Sequence, residues 1–279
     1  METKTIAILL TVHNRKEKTM KCLEHIHSQL PVNGFTTDIF MTDDGCTDGT
    51  REAVTTAFPQ VRIVNGDGNL FWNRGMHKAW QEAASTGYDY YLWINDDTFL
   101  YDGAIEQALL SSRECSDTAI IVGATQSEAT GKSTYGLREA KTGKLLVPNG
   151  MLQEGHGLNG NFVLVSKIVF EQLGNLDSHF HHSGGDTDYG LRAEERNIRL
   201  LLHKEYIGTC EQHQALSKWC NPDYPLRERW QSLNKPTGMP LKELFYLERR
   251  HYGYPKACFH FVTTILHCCF PKLWIEIKH

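Results

Sequence analysis

From Thr5 to Ile94 the chain repeats one unit, a short apolar run rich in β-branched or aromatic residues followed by a segment of helical length. The apolar runs cover 5–12, 37–42, 61–65 and 88–94, and the helical segments cover 16–30, 49–58 and 73–85. In the first segment Met20, Leu23, Ile26 and Leu30 recur at helical spacing. Pro59 stops the second. Strands that alternate with helices of this length build a parallel sheet covered on both faces.

Two of the runs end in paired carboxylates. Residues 37–42 lead into Asp43-Asp44, and 88–94 into Asn95-Asp96-Asp97. In an open parallel sheet, ligands bind outside the carboxyl ends of the strands, where the strand order reverses. Acids that converge there repel one another unless they meet a divalent cation or hydroxyl donors. Net charge is only −4, so nothing global points to nucleic acid or an anionic membrane, and an anionic substrate needs local donors or a cation.

After about residue 112 the rhythm loosens. Residues 119–123 and 160–166 read as further strands, with a Gly- and Thr-rich, hairpin-like region between them. Helices are expected over 186–196, 226–234, 240–252 and 257–270. The expected organisation is an α/β domain over 1–220 and a helical C-terminal extension over 221–279, packed on that domain or lying at a membrane surface. The stretch 257–270 carries no Asp, Glu, Lys or Arg and sits between Lys256 and Lys272. It is shorter than the roughly 20 residues that span a bilayer. A packed terminal helix is the preferred reading, with peripheral membrane association as the alternative. No secretory signal is visible, and eight cysteines without a C-x-x-C fit reduced thiols, so a cytoplasmic location is expected. Cys210, His213 and Cys220 lack a clear fourth ligand for structural zinc.

Two motif matches mislead. Residues 155–160 fit G-x-G-x-x-G but lead into a strand, the reverse of the dinucleotide fingerprint. Gly131-Lys132-Ser133 resembles the end of a P-loop, but the glycine required five residues earlier is Gln126.

Five places hold residues suited to chemistry. His13-Asn14-Arg15 forms a polar turn after the first strand, where it could meet a base or ribose or simply cap a helix. Of Asp43 and Asp44, which leave their strand on opposite faces, one could accept hydrogen bonds from a nucleoside; Asp48 reads as a cap. Residues 66–75 place three glycines, Asn69, Phe71, Trp72, Asn73 and Arg74 before a helix whose amino terminus favours phosphate. Asn95-Asp96-Asp97 offers carboxylate to Mg²⁺ or Mn²⁺, which are often held by one or two carboxylates plus substrate phosphates; capping of the next helix is the bland alternative. Asp186 and Asp188 lie about 200° apart on one helix and so cannot share a task. Asp186, at the glycine junction, is the better general base, and Asp188 a helix-start acid.

These motifs occur in the order seen in inverting glycosyltransferases of family 2, and the chain over roughly 4–215 resembles the rhamnosyltransferase-like members. The resemblance rests on Thr11-Val12-His13-Asn14-Arg15, Asp43-Asp44-Gly45-Cys46-Thr47-Asp48, Gly68-Asn69 with Asn73 and Gly75, Asn95-Asp96-Asp97, Asn159-Gly160-Asn161 and Gly185-Asp186-Thr187-Asp188. It implies a GT-A fold, a nucleoside-diphosphate sugar donor, a divalent cation (Mg²⁺ or Mn²⁺) and a glycan or lipid-linked glycan acceptor in bacterial surface polysaccharide synthesis. It places Thr11, His13, Asn14, Arg15, Asp43, Asp44, Asn69, Asn73, Asn95 and Asp96 around the donor. Asp97 would ligate the metal, with His213 as a late ligand, and Asp186 would deprotonate the acceptor hydroxyl. This reading requires Asp43, Asp97 and Asp186 to line one pocket. The sequence departs from the family where Asn95 replaces the first acid of D-x-D and Gly185 the acid before Asp186. A sugar-1-phosphate nucleotidyltransferase would carry a Gly-rich basic loop after the first strand, where this chain has His13-Asn14-Arg15-Lys16. A non-catalytic nucleotide-sugar binder would bind the donor without hydrolysis or transfer.

Overall fold

The computed structural model describes residues 3–212 and 216–273. Its first half follows the repeat. β1 (Lys4–Val12), β2 (Phe35–Asp43), β3 (Arg62–Asn65) and β4 (Tyr90–Ile94) alternate with α1 (Lys16–His27), α2 (Thr50–Ala57) and α3 (Phe71–Thr86). β2 and β4 both pair in parallel with β1, and β3 with β2, giving the local order β3-β2-β1-β4. The chain reverses its direction of travel across the sheet between β1 and β4, which makes that edge a switch point.

Both faces of this half are covered. Along β1, Ile6, Ile8 and Leu10 enter one apolar cluster with Leu23 and Ile26 of α1. Ala7 and Leu9 enter the opposite cluster with Trp80 of α3, Tyr91 and Trp93. Each fully buried side chain of this size contributes about 1.5–3 kcal/mol.

The second half is less regular than a parallel repeat. β5 (Phe99–Leu100), α4 (Ala104–Glu114), β6 (Ile120–Gln126), β7 (Ser133–Tyr135), β8 (Gln153–Glu154), β9 (Phe162–Ser166), α5 (Lys167–Leu173), α6 (Gly185–Glu195) and β10 (Leu200–Thr209) follow in order. β9 inserts antiparallel between β4 and β6, with Ile94 opposite Phe162. That reversal brings the start of β9, residues 159–161, to the switch-point edge instead of the far one. Ser166 ends β9 and caps α5 at once by accepting from the Val169 amide, leaving no turn signal between strand and helix. β10 is interrupted by His203, Lys204 and Glu205 at a register shift, which hides it as an apolar run.

α7 (Leu226–Leu233), α8 (Leu241–Tyr252) and α9 (Tyr254–Cys269) form the helical extension. They have a small core of their own, built on Leu233, Leu241 and Cys268. α8 also reaches the α/β domain. Glu243 accepts from His181, and Tyr246 and Arg250 both bond Asp177.

Candidate active site

A cavity of about 730 Å³ opens at the switch point. The carboxyl ends of β1 and β4 supply Thr11, His13, Arg15, Asn95, Asp96 and Asp97. Asn159 and Asn161 arrive with β9, Cys210 follows β10, and His182 and Asp186 come from the entry to α6. Asp97 and Asp186, 89 positions apart in the chain, thus face the same space.

At the β4 corner one cation serves two acids. Arg15 lies 3.1 Å from Asp96 and bonds Asp97 through its other terminal nitrogen, with Lys18 3.9 Å from Asp97. Burial works against the Arg15 charge, but Asp96 and Asp97 outweigh it and its pKa is raised. Asp96 is deeper, and its burial pushes the carboxyl up to about 6 in spite of Arg15. Both partners move upward because the acid loses more hydration than the half-exposed guanidinium. Cys210 Sγ lies 3.7 Å from the other oxygen of Asp97. Burial raises that thiol to about 12, so it stands there as a protonated donor. Asn95 accepts from the Trp72 indole at 2.7 Å, which fixes the ring over the cavity wall.

The β2 corner is built differently. Asp44 lines the cavity, but both of its oxygens are taken by backbone. One accepts from Gly68, the other from Leu70 and Phe71, all within 2.8–3.0 Å. These bonds hold Phe71 at φ +56, a conformation that a bulky residue keeps only under such constraint. Asp43 does not line the cavity. Its oxygens accept from the Cys46 amide and from Arg51, which also bonds Asn65. The expectation that Asp43 shares a pocket with Asp97 and Asp186 is therefore corrected to Asp44.

Other positions near this corner divide in the same way. His13 Nδ1 lies 2.6 Å from the Asp44 carbonyl oxygen, so it carries the proton, while its ring lines the cavity. Asn14, at φ +50, accepts from the Thr47 amide and lies outside the cavity lining. Asn69 is exposed and bonds back to Asp67. Asn73 is fully buried, where its amide donates to the carbonyls of Asp177 and Phe180. Asn73 thus docks α3 on the segment before α6, and donor contact through its side chain is excluded by burial.

That docking accounts for a departure in the sequence. A Cβ at Gly185 would come within 1.8 Å of Asn73 Oδ1, so the helix can start there only with glycine unless Asn73 moves. Next to it, Asp186 accepts from the amides of Gly160 (3.3 Å) and Thr187 (2.8 Å). Burial raises its pKa, and those two amides hold it only partly down. Gly160 is itself pinned by Trp72, whose ring would lie 2.3 Å from any Cβ. Asp188 is fully buried and bonded to Arg192, Arg250 and His251. It is a structural acid that ties α6 to α8.

Lining residues to which the motifs assign no role at the donor site include Phe71 and Trp72 as cavity wall, His182, Cys210, Tyr135 and Thr237. Burial lowers the His182 pKa, so its ring stays neutral. The two aromatics beside three glycines gave a sign in the sequence, and Cys210 stood out there only as a zinc candidate. Among the described residues no group of three or more His, Cys, Asp or Glu is arranged to hold a metal, and His213 lies outside the described residues. Asp97 alone suits a cation that takes its remaining ligands from phosphate oxygens.

A family model for glycosyl transferase family 2 matches residues 7–174, more than half of the chain. No curated protein matches. Solved structures do. The mannosyltransferase PcManGT of Pyrobaculum calidifontis, in complex with GDP-Man and Mn²⁺, is 14% identical with a TM-score of 0.55, over 91% of this chain and 73% of that one. TarS 1–349 of S. aureus, in complex with UDP, is 11% identical with a TM-score of 0.56, over 90% and 72%. GalNAc-T7 with UDP, GalNAc and Mn²⁺ is 12% identical with a TM-score of 0.55, over 83% of this chain and 48% of that one. At these identities the likeness speaks for the fold, which is of the GT-A type. The family match and the cavity agree, and the chain belongs to glycosyl transferase family 2, the nucleotide-sugar glycosyltransferases.

Proposed function

We propose that this enzyme transfers a sugar, with inversion, from a nucleoside diphosphate to an acceptor hydroxyl, and that Asp186 is the general base. The observation that carries this reading is the shared cavity of Asp97 and Asp186. The first is an acid neutralised by an exchangeable side chain, the second an acid with a raised pKa, two backbone donors and the Thr187 hydroxyl, and no cation beside it among the described ion pairs. Asp97 would hold the divalent cation together with donor phosphate oxygens. When bound, that cation neutralises charge on the departing diphosphate. Arg15 and Lys18 already place positive charge on that side of the cavity and would bind the same phosphates. His13 and Asn95 line the wall where ribose or the donor sugar would lie.

The remaining steps belong to groups in place. Asp186 takes the acceptor proton as the hydroxyl oxygen attacks the anomeric carbon, and the bond to the diphosphate breaks on the opposite side. General base catalysis contributes about 10²–10⁴-fold, and holding both substrates in one enclosed space supplies much of the rest. The resemblance to rhamnosyltransferases makes an activated rhamnose the first donor to test. A glycan or lipid-linked glycan of surface polysaccharide synthesis is the acceptor class. A thermal-stabilisation screen of nucleotide sugars with Mn²⁺ selects the donor. Turnover of that donor is expected to release free nucleoside diphosphate and an anomerically inverted product. Released pyrophosphate would contradict the proposal and favour a nucleotidyltransferase.

A further inference from the structure

α9 is apolar on two opposite faces, and the fold uses only one of them. Ala257 and Cys268 are buried, and Phe261 and Ile265 pack toward Trp219, Met239 and the small core of the extension. At 100° per residue, Phe259, Val262 and Leu266 centre about 140° away from that inner line, and Phe270 follows as the C-cap. These four are 63%, 53%, 41% and 56% exposed. A helix apolar all round is ordinarily enclosed on all sides. Here the outer face meets solvent, although no helix among the described residues is long and apolar enough to cross a membrane.

On the two helices that carry this face the exposed charges have one sign, while two exposed acids on neighbouring elements, Glu195 and Glu228, are paired with His251 and Lys218. Of the described residues from Leu241 to Leu273, the acids are Glu243 and Glu248, both buried and paired with His181 and His260. Lys242, Arg249, Lys256 and Lys272 are exposed. A chain of net charge −4 thus presents an apolar stripe with a lysine at each end and no exposed acid on the same two helices.

We propose that the outer face of α9 docks on an anionic phospholipid surface, with Phe259, Val262, Leu266 and Phe270 in the acyl boundary and Lys256 and Lys272 at the headgroups. A helix of this kind lies in the interface plane, and its binding grows with buried apolar area and with attraction to anionic lipid. A second copy of the chain suits the face less well. Two-fold pairing of antiparallel α9 helices would set Lys256 against Lys272 of the other copy, like charge against like. Thr237, between α7 and α8, lines the catalytic cavity, so the docking helix belongs to an extension that borders the site. The inference does not depend on the donor or on the metal.

Flotation of the full chain with vesicles tests it. Vesicles of phosphatidylcholine mixed with phosphatidylglycerol are expected to carry the protein, and pure phosphatidylcholine to carry at least about ten-fold less. Phe259→Glu with Leu266→Glu should abolish flotation. Lys256→Gln with Lys272→Gln should weaken it by about five-fold per lysine, and added salt should weaken the wild type in the same direction. Donor hydrolysis and the melting temperature are expected to stay unchanged in both variants, since these side chains are exposed and outside the cavity. Equal flotation of the wild type and the Phe259/Leu266 variant would overturn the proposal. So would a concentration-dependent dimer that the Phe259/Leu266 variant abolishes while vesicle binding is absent.

Discussion

The two acid pairs at the ends of β2 and β4 read alike in sequence and do opposite things in the structure. Asp43 and Asp44 end β2, and their oxygens accept from four backbone amides and Arg51. The four amides are fixed to the chain, and through them the acids hold the 45–46 and 68–71 turns in shape; Arg51 reaches the second oxygen of Asp43 as a side chain. Asp96 and Asp97 end β4, and their charge is balanced chiefly by one half-exposed arginine. A side chain can leave when a better partner arrives, whereas a backbone amide cannot. The chemistry of a carboxylate at a strand end is set by that difference rather than by its place in a motif. Asp186 and Asp188 repeat the lesson on one helix, since Asp188 is buried among three cationic or ionisable partners and Asp186 faces the cavity.

The largest effect that separates these classes is on turnover. Asp186→Asn should lower transfer by about 10²–10⁴-fold and leave donor affinity within a few-fold of wild type. A parallel loss of donor affinity would move Asp186 out of the base role. In the wild type, the raised pKa of Asp186 means that the base is ionised only above the ordinary aspartate range. The acid limb of the kcat/KM profile should therefore lie above that range, and rate should fall as pH drops through it. A limb at an unshifted position would contradict the geometry.

Stability gives the next effect. Asp44→Ala leaves three backbone amides without their acceptor and should cost roughly 3 kcal/mol in denaturant unfolding. Asp97→Ala removes one acid from a crowded pair while Asp96 keeps Arg15, and its cost should stay below about 1 kcal/mol. Equal losses in the two variants would erase the contrast between the corners.

Much of this arrangement was legible in the amino-acid order. The βα repeat over 5–94 set the parallel half of the sheet, and strand-end acids marked the edge where the cavity opens. Helix positions came within a few residues, with α1 ending at His27 instead of Leu30. β10 was hidden because polar residues interrupt it, and α5 because Ser166 serves strand and cap together. The antiparallel placement of β9 depends on long-range pairing that no local pattern encodes, so the route by which Asn161 reaches Asn95 was out of reach. Asn73 and Asp43 carried the family pattern faithfully, yet burial and backbone partners give them structural work. A motif records which residue stands at a position. It does not record which of its lone pairs are already taken.

The exchangeable character of the β4 corner is measured most directly by calorimetric titration of nucleoside diphosphates, with and without Mn²⁺, into the wild type, Asp97→Ala and Asp43→Asn. The account predicts that Mn²⁺ strengthens nucleotide binding in the wild type and in Asp43→Asn, and that Asp97→Ala loses this strengthening altogether. Undiminished Mn²⁺-dependent binding by Asp97→Ala, or its loss in Asp43→Asn alone, would contradict it.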